Sequence, residues 1–103
     1  MIKGTTPSLY FNLPFESSII KNAEITIEYV DSNKRVLIVK TLEDCELGEK
    51  SIETQLTQEE TLQLPAPSTV NIQLRVLTTD DTALATDIYK VMVKRLLKED
   101  VIE

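Results

Sequence analysis

The chain has 103 residues, enough for one domain with a single modest core, and its balance of 42% apolar and 27% charged residues with only two glycines and four prolines excludes disordered, collagen-like and low-complexity classes. Its formal net charge is -6 and it contains no histidine, which argues against free nucleic acid as a ligand and removes a required member of serine triads, Cys-His dyads and the usual zinc sites. A single cysteine, Cys45, leaves no internal disulfide to form.

Pro7 and Pro14 bracket SLYFNL, where Leu9, Phe11 and Leu13 alternate with Ser8, Tyr10 and Asn12. This predicts a short first strand at a sheet edge, since proline cannot donate to a ladder. FESSIIKN then reads as a connection. AEITIEYV follows as a strand whose inward stripe is Ala23, Ile25, Ile27 and Tyr29. Asp31-Ser32-Asn33-Lys34 is a turn by composition, with Asn33 suited to a left-handed conformation, and RVLIVKT returns as the second arm of a hairpin. In that arm Val36, Leu37, Ile38 and Val39 are apolar in succession, so both faces are expected to be covered, by a central position in the sheet or by a second protein surface.

LEDCELGEKS reads as a loop or short irregular strand around Gly48, and SIETQL as a further strand with Ile52, Thr54 and Leu56 on one side. Thr57-Gln58-Glu59-Glu60 matches a capping box, which predicts one helical turn crossing between sheets; a continuous strand through LTQEETLQL is the competing reading. Pro65-Ala66-Pro67 stops that segment, and VNIQLRV is the cleanest alternation in the chain, with Val70, Ile72, Leu74 and Val76 inward. Thr78 to Thr82 forms a turn. Residues 87–98 carry both periods; β-formers and the preceding turn favour a strand over Asp87 to Lys94, a helix is the alternative, and LLKEDVI is expected to coil into a helical turn. Six to seven short strands with one short helical turn give a single all-β domain over 1–103, an antiparallel β-sandwich with immunoglobulin-like connections; a mixed sheet with a C-terminal helix is the runner-up.

No catalytic, cofactor-binding or metal-binding residue is assigned. Two glycines cannot build a phosphate-cradling loop, and Ser17-Ser18 has no base nearby in the sequence. The acid pairs Asp80-Asp81 and Asp44/Glu46 lack the aromatic platform of a sugar cleft, and the calcium-like start Asp31-x-Asn33 is broken by Arg35. Cys45 sits among Glu43, Asp44 and Glu46, whose charge disfavours a thiolate, so a half-buried structural role is expected. Between Glu43 and Gln63 seven carboxylates face the single base Lys50, a solvated acidic edge or a docking surface for a basic partner. Any function therefore falls to surfaces, and the candidate interface residues are Asn71, Gln73 and Arg75 on the outward side of VNIQLRV, with Val36 and Ile38 on the doubly apolar strand.

Four stretches, IKGTTPSLYFNLP, LTQEETLQL, VNIQLRV and ALATDIYKV, together resemble small β-rich proteins among the virion-structural genes of phages and prophages of Gram-positive gut bacteria. The resemblance implies a non-enzymatic structural or assembly protein at a tail, neck or baseplate. It implies an oligomer or particle-bound state, partners among other virion proteins or copies of itself, and residence in the host bacterial cytoplasm during assembly and then in the virion. It transfers no cofactor and no catalytic residue, and neither nucleic acid nor membrane is an expected partner. A recognition module that binds a cell-surface glycan or peptide through its loops is the alternative.

Overall fold

A computed structural model describes every residue, Met1–Glu103. Eight strands and one short α-helix follow in the order β1 (Ser8–Asn12), β2 (Ile20–Val30), β3 (Arg35–Thr41), β4 (Cys45–Gly48), β5 (Ser51–Gln55), α1 (Gln58–Leu62), β6 (Ser68–Thr78), β7 (Ala83–Ala85) and β8 (Tyr89–Val93). They form two antiparallel sheets, a three-stranded one ordered β1-β5-β4 and a five-stranded one ordered β3-β2-β6-β7 in which β8 also pairs with β6. The fold is all-β, as the alternation predicts. The competing mixed sheet with a C-terminal helix is excluded, because residues 89–93 are strand and the tail LLKEDVI forms no helical turn.

The two alternating stripes are direct neighbours. Antiparallel pairing of β2 with β6 sets Ala23 opposite Val76, Ile25 opposite Leu74 and Ile27 opposite Ile72, and all six side chains are buried. Partners across an antiparallel pair point the same way, so one register places both stripes in a single apolar layer. That layer belongs to one continuous cluster that also contains Leu13, Ile52, Leu56 and Leu64 from the other sheet and its connections. Each fully buried Ile or Leu stabilises the fold by about 1.5–3 kcal/mol through lost apolar hydration.

β2 starts earlier than the sequence suggests. The connection FESSIIKN contains a 3-10 turn at Ser17–Ile19 and then already belongs to the strand, with a register irregularity between Ile20 and Asn22. The β2–β3 turn is closed by the Asp31 carboxylate, which accepts from the backbone N–H groups of Asn33 and Lys34 and from the Tyr29 hydroxyl. Asn33 does not turn left-handed; the non-glycine residue that does is Asp81, at φ 64°, in the β6–β7 turn. There Thr78 supplies the local bonds, its hydroxyl donating to Asp80 and accepting from the Thr82 N–H.

The capping box forms as predicted. Thr57 Oγ1 accepts from the Glu60 N–H at 3.1 Å, and Glu60 Oε1 accepts from the Thr57 N–H at 2.9 Å. α1 carries the chain from β5 in one sheet to β6 in the other. Thr61, fully buried on α1, donates to the Thr5 carbonyl at 2.8 Å and so ties the helix to the N-terminal segment. That segment pairs with the end of β8: Ile2 and Lys94 form a parallel bridge, with N–H donors from Lys3 to the Lys94 carbonyl and from Lys94 to the Met1 carbonyl.

Thr57→Ala removes one cap acceptor and is expected to lower stability by about 1 kcal/mol in urea unfolding. The pH dependence has a defined sign. Hydrogen bonds hold three carboxyls below their usual range: Asp31 by the Tyr29 hydroxyl and then two backbone N–H groups, Asp44 by the Thr41 N–H and hydroxyl, Asp80 by the Thr78 and Thr82 hydroxyls and the Thr82 N–H. Burial pushes the Glu60 carboxyl up, but Lys40 and Thr57 outweigh it and leave it low. Groups depressed in the fold stabilise it above the unfolded carboxyl pKa of about 4 and lose that contribution as pH falls through their folded values. Urea midpoints are therefore expected to stay level from neutral pH to about 5 and to fall below about 4, with a smaller fall in Asp31→Asn.

Candidate functional site

The outward face of the five-stranded sheet is a regular lattice because the register is unbroken across three strands over Glu24 to Glu28 of β2. One row runs Leu37, Glu28, Asn71, Lys90; the next sets Val39, Thr26 and Gln73 side by side; a third runs Thr41, Glu24, Arg75, Ala85. Arg75 pairs with Glu24 at 3.4 Å and Arg35 with Glu28 at 3.2 Å, both across neighbouring strands and exposed to solvent. Gln73 is committed differently: its Nε2 donates to the Thr86 carbonyl at 2.8 Å, while Thr86 Oγ1 accepts from the Leu74 N–H. Thr86 to Ile88 thus interrupt the return strand between β7 and β8.

The sequence-derived candidates separate on this face. Asn71, Gln73 and Arg75 all point outward, in one line along β6. Val36 and Ile38 do not: they are 7% and 5% exposed and belong to the apolar cluster. β3 is an edge strand, not a central one, and its outward side is uncovered, leaving Leu37 and Val39 at 49% and 41% exposure. Four consecutive apolar residues arise here because the even positions fill the core while the odd positions add apolar surface to the outer face.

Two concavities lie on this sheet. One of about 350 Å³ is bounded by Glu24 and Arg75 and by Leu77, Ala83 and Leu84. The other, about 280 Å³, lies over Thr26, Glu28, Asn71, Gln73 and Arg75 beside Ile88. Arg75 borders both.

The acidic stretch is partly structural. Asp44 accepts from the Thr41 N–H and hydroxyl to cap a 3-10 turn at Leu42–Asp44, and Glu60 both caps α1 and takes Lys40 Nζ at 2.6 Å. Glu46 and Glu53 face each other across β4 and β5. No group of three or more His, Cys, Asp or Glu side chains is placed to hold a metal ion. Cys45 is half-buried, and its Sγ donates to the Thr41 carbonyl. Burial pushes its thiol up, against an opposing hydrogen bond from Thr54, and the Asp44 charge adds to the rise.

No protein-family model matches the chain, and a search of curated proteins finds no match.

The two sides of β3 are expected to respond oppositely to one substitution. Ile38→Lys buries an unpaired ammonium and should cost about 3 kcal/mol or more, whereas Leu37→Lys and Val39→Lys in dilute protein should stay within about 0.5 kcal/mol, read by thermal unfolding.

Proposed function

We propose that the two sheets close as an immunoglobulin-like β-sandwich and that the chain is a non-enzymatic structural or assembly protein of a phage particle, at a tail, neck or baseplate, acting through protein contacts. Strand order supports the sandwich. β3-β2-β6 followed by the interrupted β7/β8 strand has the order C′-C-F-G, and β1-β5-β4 has the order B-E-D. α1 stands at the E–F crossing, and one buried cluster joins Ile25, Ile27 and Ile72 to Ile52 and Leu56. The inter-sheet disulfide and strand-C tryptophan of antibody domains are missing from the sequence, so Ile and Leu fill that space instead.

The observation that carries the assembly role is the free edge of the outer sheet face, where Leu37 and Val39 are exposed and Glu24, Thr26 and Glu28 of β2 separate them from Asn71, Gln73 and Arg75. Exposed apolar side chains at an unpaired edge, with arginine nearby, suit a protein contact. The resemblance of the four quoted stretches to virion-structural proteins supplies the particle. Mass spectrometry of purified particles from the host that carries the gene is expected to find the chain at stoichiometric level. Absence of the chain from those particles would overturn the reading.

The groove between the Glu24–Arg75 pair and Ala83 favours a second, narrower reading, a module that takes a peptide or glycan. Binding to a cell-wall peptide and glycan array, lost in Arg75→Ala, would select it.

A further inference from the structure

The ends of the five-stranded sheet are finished differently. On the side of β7 and β8, Met1 to Lys3 pair with the end of β8, and the Met1 ammonium donates to the Met92 carbonyl at 3.1 Å. At the opposite end, β3 keeps an unbroken seven-residue register with β2, from Arg35 opposite Val30 to Thr41 opposite Glu24, and no strand pairs with its other side. It contains no proline or bulge; of the devices that blunt an edge it carries only charge, Arg35 at its start and Lys40, whose inward ammonium is neutralised by Glu60. The edges of the smaller sheet do carry such features: β1 is bracketed by Pro7 and Pro14, and β4 has only four residues and ends at Gly48.

We propose that β3 pairs antiparallel with β3 of a second copy about a two-fold axis through Ile38, joining the two five-stranded sheets into one. This rests on the reading of the chain as an assembly module and names its partner as a second copy of itself.

Charge selects the occupant. Lys34 and Arg35 open the strand, while Glu43 and Asp44 follow its end, all four exposed. An antiparallel copy sets the basic end of each chain beside the acidic end of the other, twice by symmetry, whereas a foreign strand would have to supply both signs in the right order. Side-chain parity excludes odd slips, and the number of pairs formed selects among the even registers. With Ile38 on the axis, all seven residues of each strand pair, Leu37 meets Val39 of the second copy on the outer face, and Arg35 meets Thr41. A slip of one residue turns exposed side chains against buried ones, and a slip of two toward the N-terminus sets Lys34 against Lys40 of the second copy. Lys40 does not repel the approaching strand, because it points inward and Glu60 Oε1 holds its ammonium at 2.6 Å.

Light scattering and sedimentation velocity from micromolar to millimolar concentration are expected to show a concentration-dependent species of twice the 11.7 kDa chain mass. Val39→Lys and Arg35→Glu, both at exposed positions, should each raise its dissociation constant about tenfold or more, with far-UV circular dichroism unchanged. In a Cys45→Ser background, Leu37→Cys mixed with Val39→Cys should form an intermolecular disulfide under mild oxidation that neither forms alone. Protein that stays monomeric throughout, a dimer insensitive to both charge variants, or a Leu37→Cys disulfide as fast alone as in the mixture overturns the pairing. A monomer found in purified particles sinks the pairing and leaves the assembly role standing; a dimer with the predicted cross-link that is missing from particles does the reverse.

Discussion

The direct antiparallel pairing of β2 with β6 is the constraint from which the rest follows. Each strand is eleven residues long and the two run side by side for most of that length, so a single register fixes two things at once. Inward, it assembles Ala23, Ile25, Ile27, Ile72, Leu74 and Val76 into one apolar sheet of side chains. Outward, it sets Glu24 beside Arg75, Thr26 beside Gln73 and Glu28 beside Asn71. A shift of one residue would turn one strand over relative to the other, burying either Glu24 and Glu28 of β2 or Arg75 of β6 and exposing the apolar stripe of that strand.

Around that pair, polar groups are used as fasteners. Lys40, at the inner edge of β3, reaches Glu60 on the helix that crosses between the sheets, and the same carboxylate closes the helix cap. One acidic side chain therefore links the edge of one sheet to the crossover from the other. Thr54 donates to the Asp44 carbonyl, Thr61 to Thr5, and Thr78 closes its own turn, so none of the buried side-chain polar atoms lacks a partner. Several of the carboxylates that give the chain its negative charge thus serve local geometry.

Period and local chemistry were legible in the amino-acid sequence; partnership was not. The alternation of Ile25 and Ile27, of Ile52 and Thr54, and of Val70 to Val76 identified strands and their buried sides, and the Thr57–Glu60 spacing identified the helical turn, because these signals are set within a few residues. RVLIVKT is not the central strand that is one of its two readings; an apolar run has the same appearance on a central strand as on an edge strand whose outer face is also apolar, and only pairing with β2 separates Ile38 from Leu37. The outward line Asn71, Gln73, Arg75 was visible from parity, yet its neighbours Glu24, Thr26 and Glu28 lie some 45 residues away in sequence and join it only through register. The N-terminal bridge to Lys94 left no local trace, since Met1 to Lys3 are too short to carry a period.

That bridge gives the domain a mechanical character. Met1 to Lys3 run parallel to the end of β8, so the chain enters at one end of this short ladder and leaves at the other. A pull on Met1 opposed by one beyond Lys94 would slide the two segments along each other, loading the three hydrogen bonds between Met1, Lys3, Met92 and Lys94 together instead of peeling them singly. Tension along the chain is then met in shear, the direction in which a short ladder resists most.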